Sequence, residues 1–156
     1  PLKINVDTYD GTSWTEGTAL NSGHADGGGG GTQTAAIIAG GEAPGTVGTC
    51  ETWDGSTWTE VNNLNTARYG LRGTGTSTSN LVIGGTVPPP TAVVELWDGT
   101  SWTEVADLAT ARQGISQSSN GTTSAAMAAG GNIPPSTTAT EEWTSTASAI
   151  KTFTSS

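Results

Sequence analysis

Residues 53–61 read WDGSTWTEV and residues 97–105 read WDGTSWTEV, and a shorter form, YDGTSWTE, occupies 9–16. Tyr9, Trp53 and Trp97 are thus spaced by 44 residues, as are Trp14, Trp58 and Trp102. The same interval relates Glu16, Glu60 and Glu104, and again Leu20, Leu64 and Leu108. An acidic residue stands two positions before each aromatic: Asp7, Glu51 and Glu95. Downstream, NTAR (65–68) answers ATAR (109–112), with His24 in the place of Arg68 and Arg112. Each unit then reaches a double glycine ending at Gly41, Gly85 or Gly131. The last interval is 46, which places a two-residue insertion around SNGTTS (119–124); Glu141 and Trp143 carry the same offset. Several residue types holding one register is the signature of a repeat architecture.

One unit reads as four short strands. In the second, these are LRGTGTS (71–77), NLVIGG (80–85), AVVELW (92–97) and SWTEV (101–105). Asp-Gly between the third and fourth predicts a hairpin with a two-residue primed turn, which needs positive φ. The segments joining the second and third strands, EAPGTVG, TVPPPTA and NIPPSTT, carry proline and read as loops. Four antiparallel strands per 44 residues describe one propeller blade.

Composition agrees. There are 23 Gly and 29 Thr; glycine supplies tight turns, and β-branched threonine suits a pleated surface. Helix formers are scarce and no long 3.6-residue periodicity is present. Fourteen acidic against five basic residues give a net charge of −9, which excludes nucleic acid as a partner by repulsion. No window is apolar enough to cross a membrane, and no signal-peptide pattern is found. Cys50 is alone, so it forms no intrachain disulfide or thiolate cluster and reads as a buried, inert thiol. Pro1 in place of an initiator methionine points to a processed, excised or incompletely represented chain.

The double glycine, the aromatic of the third strand and the tryptophan of the fourth (Gly84-Gly85, Trp97 and Trp102, with their equivalents) resemble the kelch repeat of β-propellers. Arg68 and Arg112 fit that family's basic position. The wording DGTSWTEV…LNTAR…GG is similar to kelch-like arrays in predicted tail-fibre and virion proteins of marine bacteriophages. The resemblance implies an all-β fold of kelch-like blades: a partial blade at 1–17, complete blades at 18–61 and 62–105, and a third with a C-terminal cap at 106–156. In the first unit Gly27 to Gly31 replace the usual strand residues, as a flexible stretch or a place where backbones approach closely. The last unit lacks the Asp-Gly turn and the second tryptophan, whose place falls to Phe153 or Ile150. That makes about three and a half blades and about 14 strands, short of the roughly 4–8 of a closed ring. The chain is then part of a longer array, shares a ring with further copies, or forms a linear stack of hairpins.

Chemistry at single residues is sparse. His24 reads as a substitution in a structural slot, with no Ser or Cys motif beside it. Copper oxidases built on kelch propellers need His and Tyr ligands that this chain lacks. Sialidase-type propellers separate their turn Asp and Gly by one residue and use an arginine cluster, whereas here the pair is adjacent. Asp7, Glu51, Glu95 and Glu141, one per blade, stand too far apart for one ion or a shared proton; each is expected to meet Arg68 or Arg112, or solvent. Turn geometry accounts for Asp10, Asp54 and Asp98. No metal or cofactor is expected. Asn120-Gly-Thr is a formal glycosylation sequon, but a hairpin turn explains it better.

Trp14, Trp53, Trp58, Trp97, Trp102 and Trp143, with Arg68, Arg112, Gly41, Gly85 and Gly131, read as the structural skeleton of the repeat. Variation falls in the loops instead: Glu42 and Pro44; Val87, Pro88 and Pro89; Asn132, Ile133 and Pro134. A stiff scaffold with variable loops is how binding modules are commonly built. The expected function is a non-enzymatic structural and adhesion module of a virion or extracellular surface. Its partners would be itself, other virion proteins, or a host-surface glycan or protein. A propeller lectin is the alternative, and a glycan-processing enzyme a weaker one.

Overall fold

The structure, a computed structural model, describes residues 4–117, 121–132, 138–145 and 151–153. Asn120, Ile133, Pro134 and Ile150 lie outside them. The described chain is all β. Strands β1 (Asp7–Tyr9) and β2 (Trp14–Glu16) form a hairpin. Three four-stranded antiparallel sheets follow, each in simple chain order. The first holds β3 (Gly28–Thr32), β4 (Ala35–Glu42), β5 (Thr46–Trp53) and β6 (Trp58–Val61). The second holds β7 (Arg72–Gly75), β8 (Asn80–Ile83), β9 (Val94–Trp97) and β10 (Trp102–Glu104). The third holds β11 (Ser116–Gln117), β12 (Ala125–Ala129), β13 (Thr140–Thr144) and β14 (Lys151–Phe153). No described helix is long and apolar enough to cross a membrane.

Alternation along the strands sends successive side chains to opposite faces, and this stacks the sheets. Ile37, Ala39 and Cys50 of the first sheet meet Val82, Trp97 and Trp102 of the second in one buried cluster, with Leu64 and Leu71 between. Leu81, Ile83 and Val94 leave the other face of the second sheet and meet Ala126, Ala128 and Trp143 of the third. The repeat therefore buries its core between sheets, not within one.

The first strands converge through glycine. A Cβ on Gly28 would lie 3.0 Å from the Arg72 carbonyl carbon and the Gly73 nitrogen, and one on Gly73 only 2.5 Å from Gly29 N. The glycine run is thus a paired strand that admits a neighbouring backbone. Gly40-Gly41 and Gly84-Gly85 do different work at the far end of each second strand. All four have positive φ, and the second glycine donates to the next unit's slot residue: Gly41 N to Arg68 O (2.8 Å) and Gly85 N to Arg112 O (2.9 Å). The double glycine is a joint between consecutive units.

Three expectations need correction. Trp97 pairs with Trp102, and Trp53 with Trp58, so the Asp-Gly hairpin has a four-residue loop and not a two-residue primed turn. Only the glycine takes positive φ (97° at Gly99), because the Asp98 carboxylate closes the loop by accepting from Thr100 N and Ser101 N at 2.8 Å each. In the first unit EAPGTVG is mostly strand: Glu42 ends β4, pairs with Thr46, and exchanges backbone hydrogen bonds with Ala25. In the second unit Thr86 exchanges the same bonds with Tyr69, but Pro90 stands in the place of Thr46 and has no N–H to donate, so Thr86 meets it only in an isolated bridge. Phe153 stands opposite Thr140, the register of Val61 opposite Cys50, and so does not take the place of the second tryptophan.

Candidate functional site

Each buried carboxylate latches the loop that leads into its own sheet. Glu95 accepts from Asn65 N and Asn65 Nδ2 (both 2.8 Å), Thr66 N (3.3 Å) and Arg68 Nη1, with both members of the ion pair fully buried. Arg68 also donates from Nε to Gly84 O at 2.9 Å. Glu141 takes Ala109 N at 2.7 Å and Arg112 Nη2 at 2.5 Å. His24 reproduces the geometry with an imidazole: Nδ1 donates to Gly40 O at 2.7 Å, and Nε2 lies 3.3 Å from Glu51 Oε1. Burial acts to raise the Glu51 carboxyl, but hydrogen bonds from Asn21 and Ser22 outweigh it and hold it below the usual range. These groups are committed to the frame.

Four of the six tryptophans are committed likewise. Trp53, Trp97 and Trp143 donate from Nε1 to Gln33, Ser77 and Thr123 carbonyls at 2.9, 3.0 and 2.9 Å, each tying the third strand to its own first hairpin. Trp102 donates to Asn62 O at 3.0 Å. Cross-strand rings pack in tilted pairs about 5 Å apart. Trp97, Trp102 and Trp143 are buried, Trp53 and Trp58 half-buried, and Trp14 exposed. Tyr9, Trp14, Trp53 and Trp58, with Gln33 and Ala36, line an open cleft of about 380 Å³ between the hairpin and the first sheet.

The residues after each double glycine gather at one end of the stack. Val87, Pro88, Pro89, Asn132 and Pro44 are exposed there, and Glu42 is half-buried. Bridges Ala25–Glu42, Tyr69–Thr86 and Gln113–Asn132 fix them in equivalent places. Between successive units this end holds a polar cleft of about 250 Å³, lined by Asp26, Tyr69, Arg72, Gln113 and Asn132. Sequence reading passed over Asp26, Tyr69 and Gln113. Their signal was the contrast between a slot that holds only His or Arg and the changing residues just after it: HAD, RYG and RQG.

Two predictions follow from the titratable groups. Backbone N–H groups, led by that of Ser13, Thr57 or Ser101, hold Asp10, Asp54 and Asp98 below the ordinary aspartate value of 3.8. A depressed carboxyl contributes stability above its unfolded pKa, and loses it as pH falls through the folded one. The urea midpoint should therefore drop more steeply below about pH 4 in the parent than in the variant Asp10→Asn, Asp54→Asn, Asp98→Asn. Parallel pH profiles would refute the assignment. Desolvation pushes the buried Cys50 thiol up to about 11. Native protein should leave a thiol reagent such as DTNB unreacted for hours, and denatured protein should consume one equivalent at once.

The architecture defines a class, an all-β stack of antiparallel repeat sheets joined at double glycines. Compared with known protein families and curated proteins, the chain matches no family profile and no curated relative.

Proposed function

We propose that the chain is a non-enzymatic structural and adhesion module made of kelch-like β-propeller blades, carried on a virion or another extracellular surface in the manner of a phage tail fibre. The hairpin and the three sheets are successive blades in this reading. One observation carries it: a frame that repeats its buried carboxylate, basic partner and double-glycine joint presents residues that differ from unit to unit, and these gather at one end. Support comes from how the frame spends its chemistry. Glu95–Arg68 and Glu141–Arg112 are sealed inside, whereas Tyr69, Val87, Pro88, Gln113 and Asn132 edge the outward end. Proline in those loops lowers the ordering cost of a contact. The partners are neighbouring virion proteins, further copies of the chain, or a host surface.

Fluorescently labelled protein incubated with a panel of bacterial cells tests adhesion by flow cytometry. Binding to at least one strain is expected, and Tyr69→Ala with Val87→Asp and Asn132→Ala should reduce it about tenfold or more. Labelling of no strain would overturn the adhesive role, and undiminished binding by the triple variant would remove the loop end from it.

The cleft lined by Tyr9, Trp14, Trp53 and Trp58 favours a second reading, a propeller lectin, because aromatic faces suit the apolar faces of sugar rings. A glycan array read together with tryptophan fluorescence separates the two: a glycan hit lost in Trp53→Ala supports the lectin.

A further inference from the structure

The polar cleft at the outward end collects places where the repeat departs from itself. At intervals of 44 residues, Asp26 aligns with Gly70 and Gly114, Arg72 with Gly28 and Ser116, and Tyr69 and Gln113 with Ala25. Asn132 bridges Gln113 as Thr86 bridges Tyr69 and Glu42 bridges Ala25, so those three also share a place. Asp26, Tyr69, Arg72, Gln113 and Asn132 thus come from three units to line one space of about 250 Å³. Backbone hydrogen bonds tie the lining together: Gly70 N donates to Asp26 O (2.8 Å) and Gly114 N to Gly70 O (2.9 Å). All three residues have positive φ, 54° at Asp26. Glycine takes that conformation freely in the other two units, so the aspartate brings the cleft a carboxylate and no backbone advantage.

The buried latches are saturated, whereas the cleft is not. Of the three arginines, Arg68 and Arg112 are sealed against Glu95 and Glu141. Arg72 is half-buried, makes no ion pair among the described residues, and uses only Nη1, which donates to Leu71 O at 2.8 Å. The side chains of Asp26, Tyr69, Gln113 and Asn132 make no hydrogen bond among the described residues.

We infer that this cleft binds one hexuronic acid unit, a pyranose ring bearing a carboxylate. The Arg72 guanidinium takes the carboxylate through the donors it has left, Nε and Nη2. Asp26 accepts from ring hydroxyls, and the amides of Gln113 and Asn132 can both donate to and accept from others. Tyr69 supplies an aromatic face for the C–H side of the ring and a hydroxyl at its edge. One unpaired cation selects one negative charge, and a chain of net charge −9 repels a ligand carrying several. The volume falls below the roughly 300–1,000 Å³ of drug-sized sites, which suits a single sugar unit. This deepens, and rests on, the reading of that end as the adhesive surface.

Calorimetric titration and ligand-observed NMR of the 156-residue chain test the inference. The probes are methyl glucuronoside and methyl galacturonoside, with the neutral glucoside and galactoside, acetate and glycine as controls. At least one uronoside should bind about tenfold or more tighter than its neutral counterpart, and tighter than acetate or glycine. Arg72→Ser and Asp26→Gly install residues that other units hold at those places, so both should keep the near-UV circular dichroism of the parent. Arg72→Ser should weaken uronoside binding about tenfold or more, to the level of the neutral sugar. Asp26→Gly should weaken acidic and neutral sugars alike. A parent that binds neither uronoside overturns the inference. So does equal affinity for the neutral sugars, for acetate or for glycine, or undiminished uronoside binding by Arg72→Ser. No cells are involved, so a chain that labels bacteria but binds no uronoside keeps its adhesive role and loses this ligand. A chain that binds a uronoside but labels no strain keeps the site and loses the adhesive role.

Discussion

Glu95→Ala should cost about 3–5 kcal/mol of folding stability, read as a fall in the urea midpoint at an unchanged slope. The carboxylate is fully buried and is the acceptor for Asn65, Thr66 and Arg68. Its removal strands the Arg68 guanidinium without a counter-charge and leaves two loop N–H groups without their acceptor. A domain of this size has only about 5–15 kcal/mol in total, so the loss is a large fraction of it. The double variant Glu95→Ala, Arg68→Ala removes the stranded charge, and its cost should fall short of the sum of the singles by roughly 1–3 kcal/mol. If Glu95→Ala alone stays within about 1 kcal/mol of the parent, the carboxylate is not the latch described.

Gly73→Ala should be nearly as damaging for a steric reason. The added Cβ would sit 2.5 Å from Gly29 N, 2.7 Å from Gly29 O and 2.9 Å from Gly29 Cα. These are backbone atoms of the adjacent sheet, so no rotamer change relieves the overlap and β7 must separate from β3. Overpacking of this kind costs roughly 1–3 kcal/mol where side chains can yield, and about 3 kcal/mol or more is expected here. Gly17→Ala is the control, since its nearest neighbour, Val6 O, would lie 3.5 Å away. Equal midpoints for the two variants would mean that the first strands do not approach as described.

Much of the fold was legible in the chain. The interval of 44 residues, the four strands of the second unit and the prolines that stop strand pairing at Thr86 all rest on local rules: alternation, turn residues and missing N–H groups. The observed strands β7 to β10 fall inside the stretches read for them, shorter by one or two residues at most ends. The turn type was misread because the Asp-Gly signature is silent about the aspartate side chain, which closes a longer loop itself. EAPGTVG was read as loop because of its central proline and glycine, yet its two ends pair with each other, Glu42 with Thr46 beside Gly41 with Val47.

Repetition alone marked the tryptophans, the arginines and the double glycines as structural, because residues that keep register across units serve what the units share, and it left the acidic series between an arginine partner and solvent. Tertiary structure decided what each of them does. Glu95 finds Arg68 across 27 residues, Gly85 finds Arg112 across the same number, and Gly73 finds Gly29 across 44. Such pairings form only when whole sheets stack, and no local propensity encodes which distant backbone a side chain will meet. The same stacking gathers Asp26, Tyr69, Gln113 and Asn132 around one cleft, and buries Trp97 and Trp102 while their counterparts Tyr9 and Trp14 are exposed. A repeat position fixes a residue's direction, but burial depends on whether a neighbouring sheet is there to receive it.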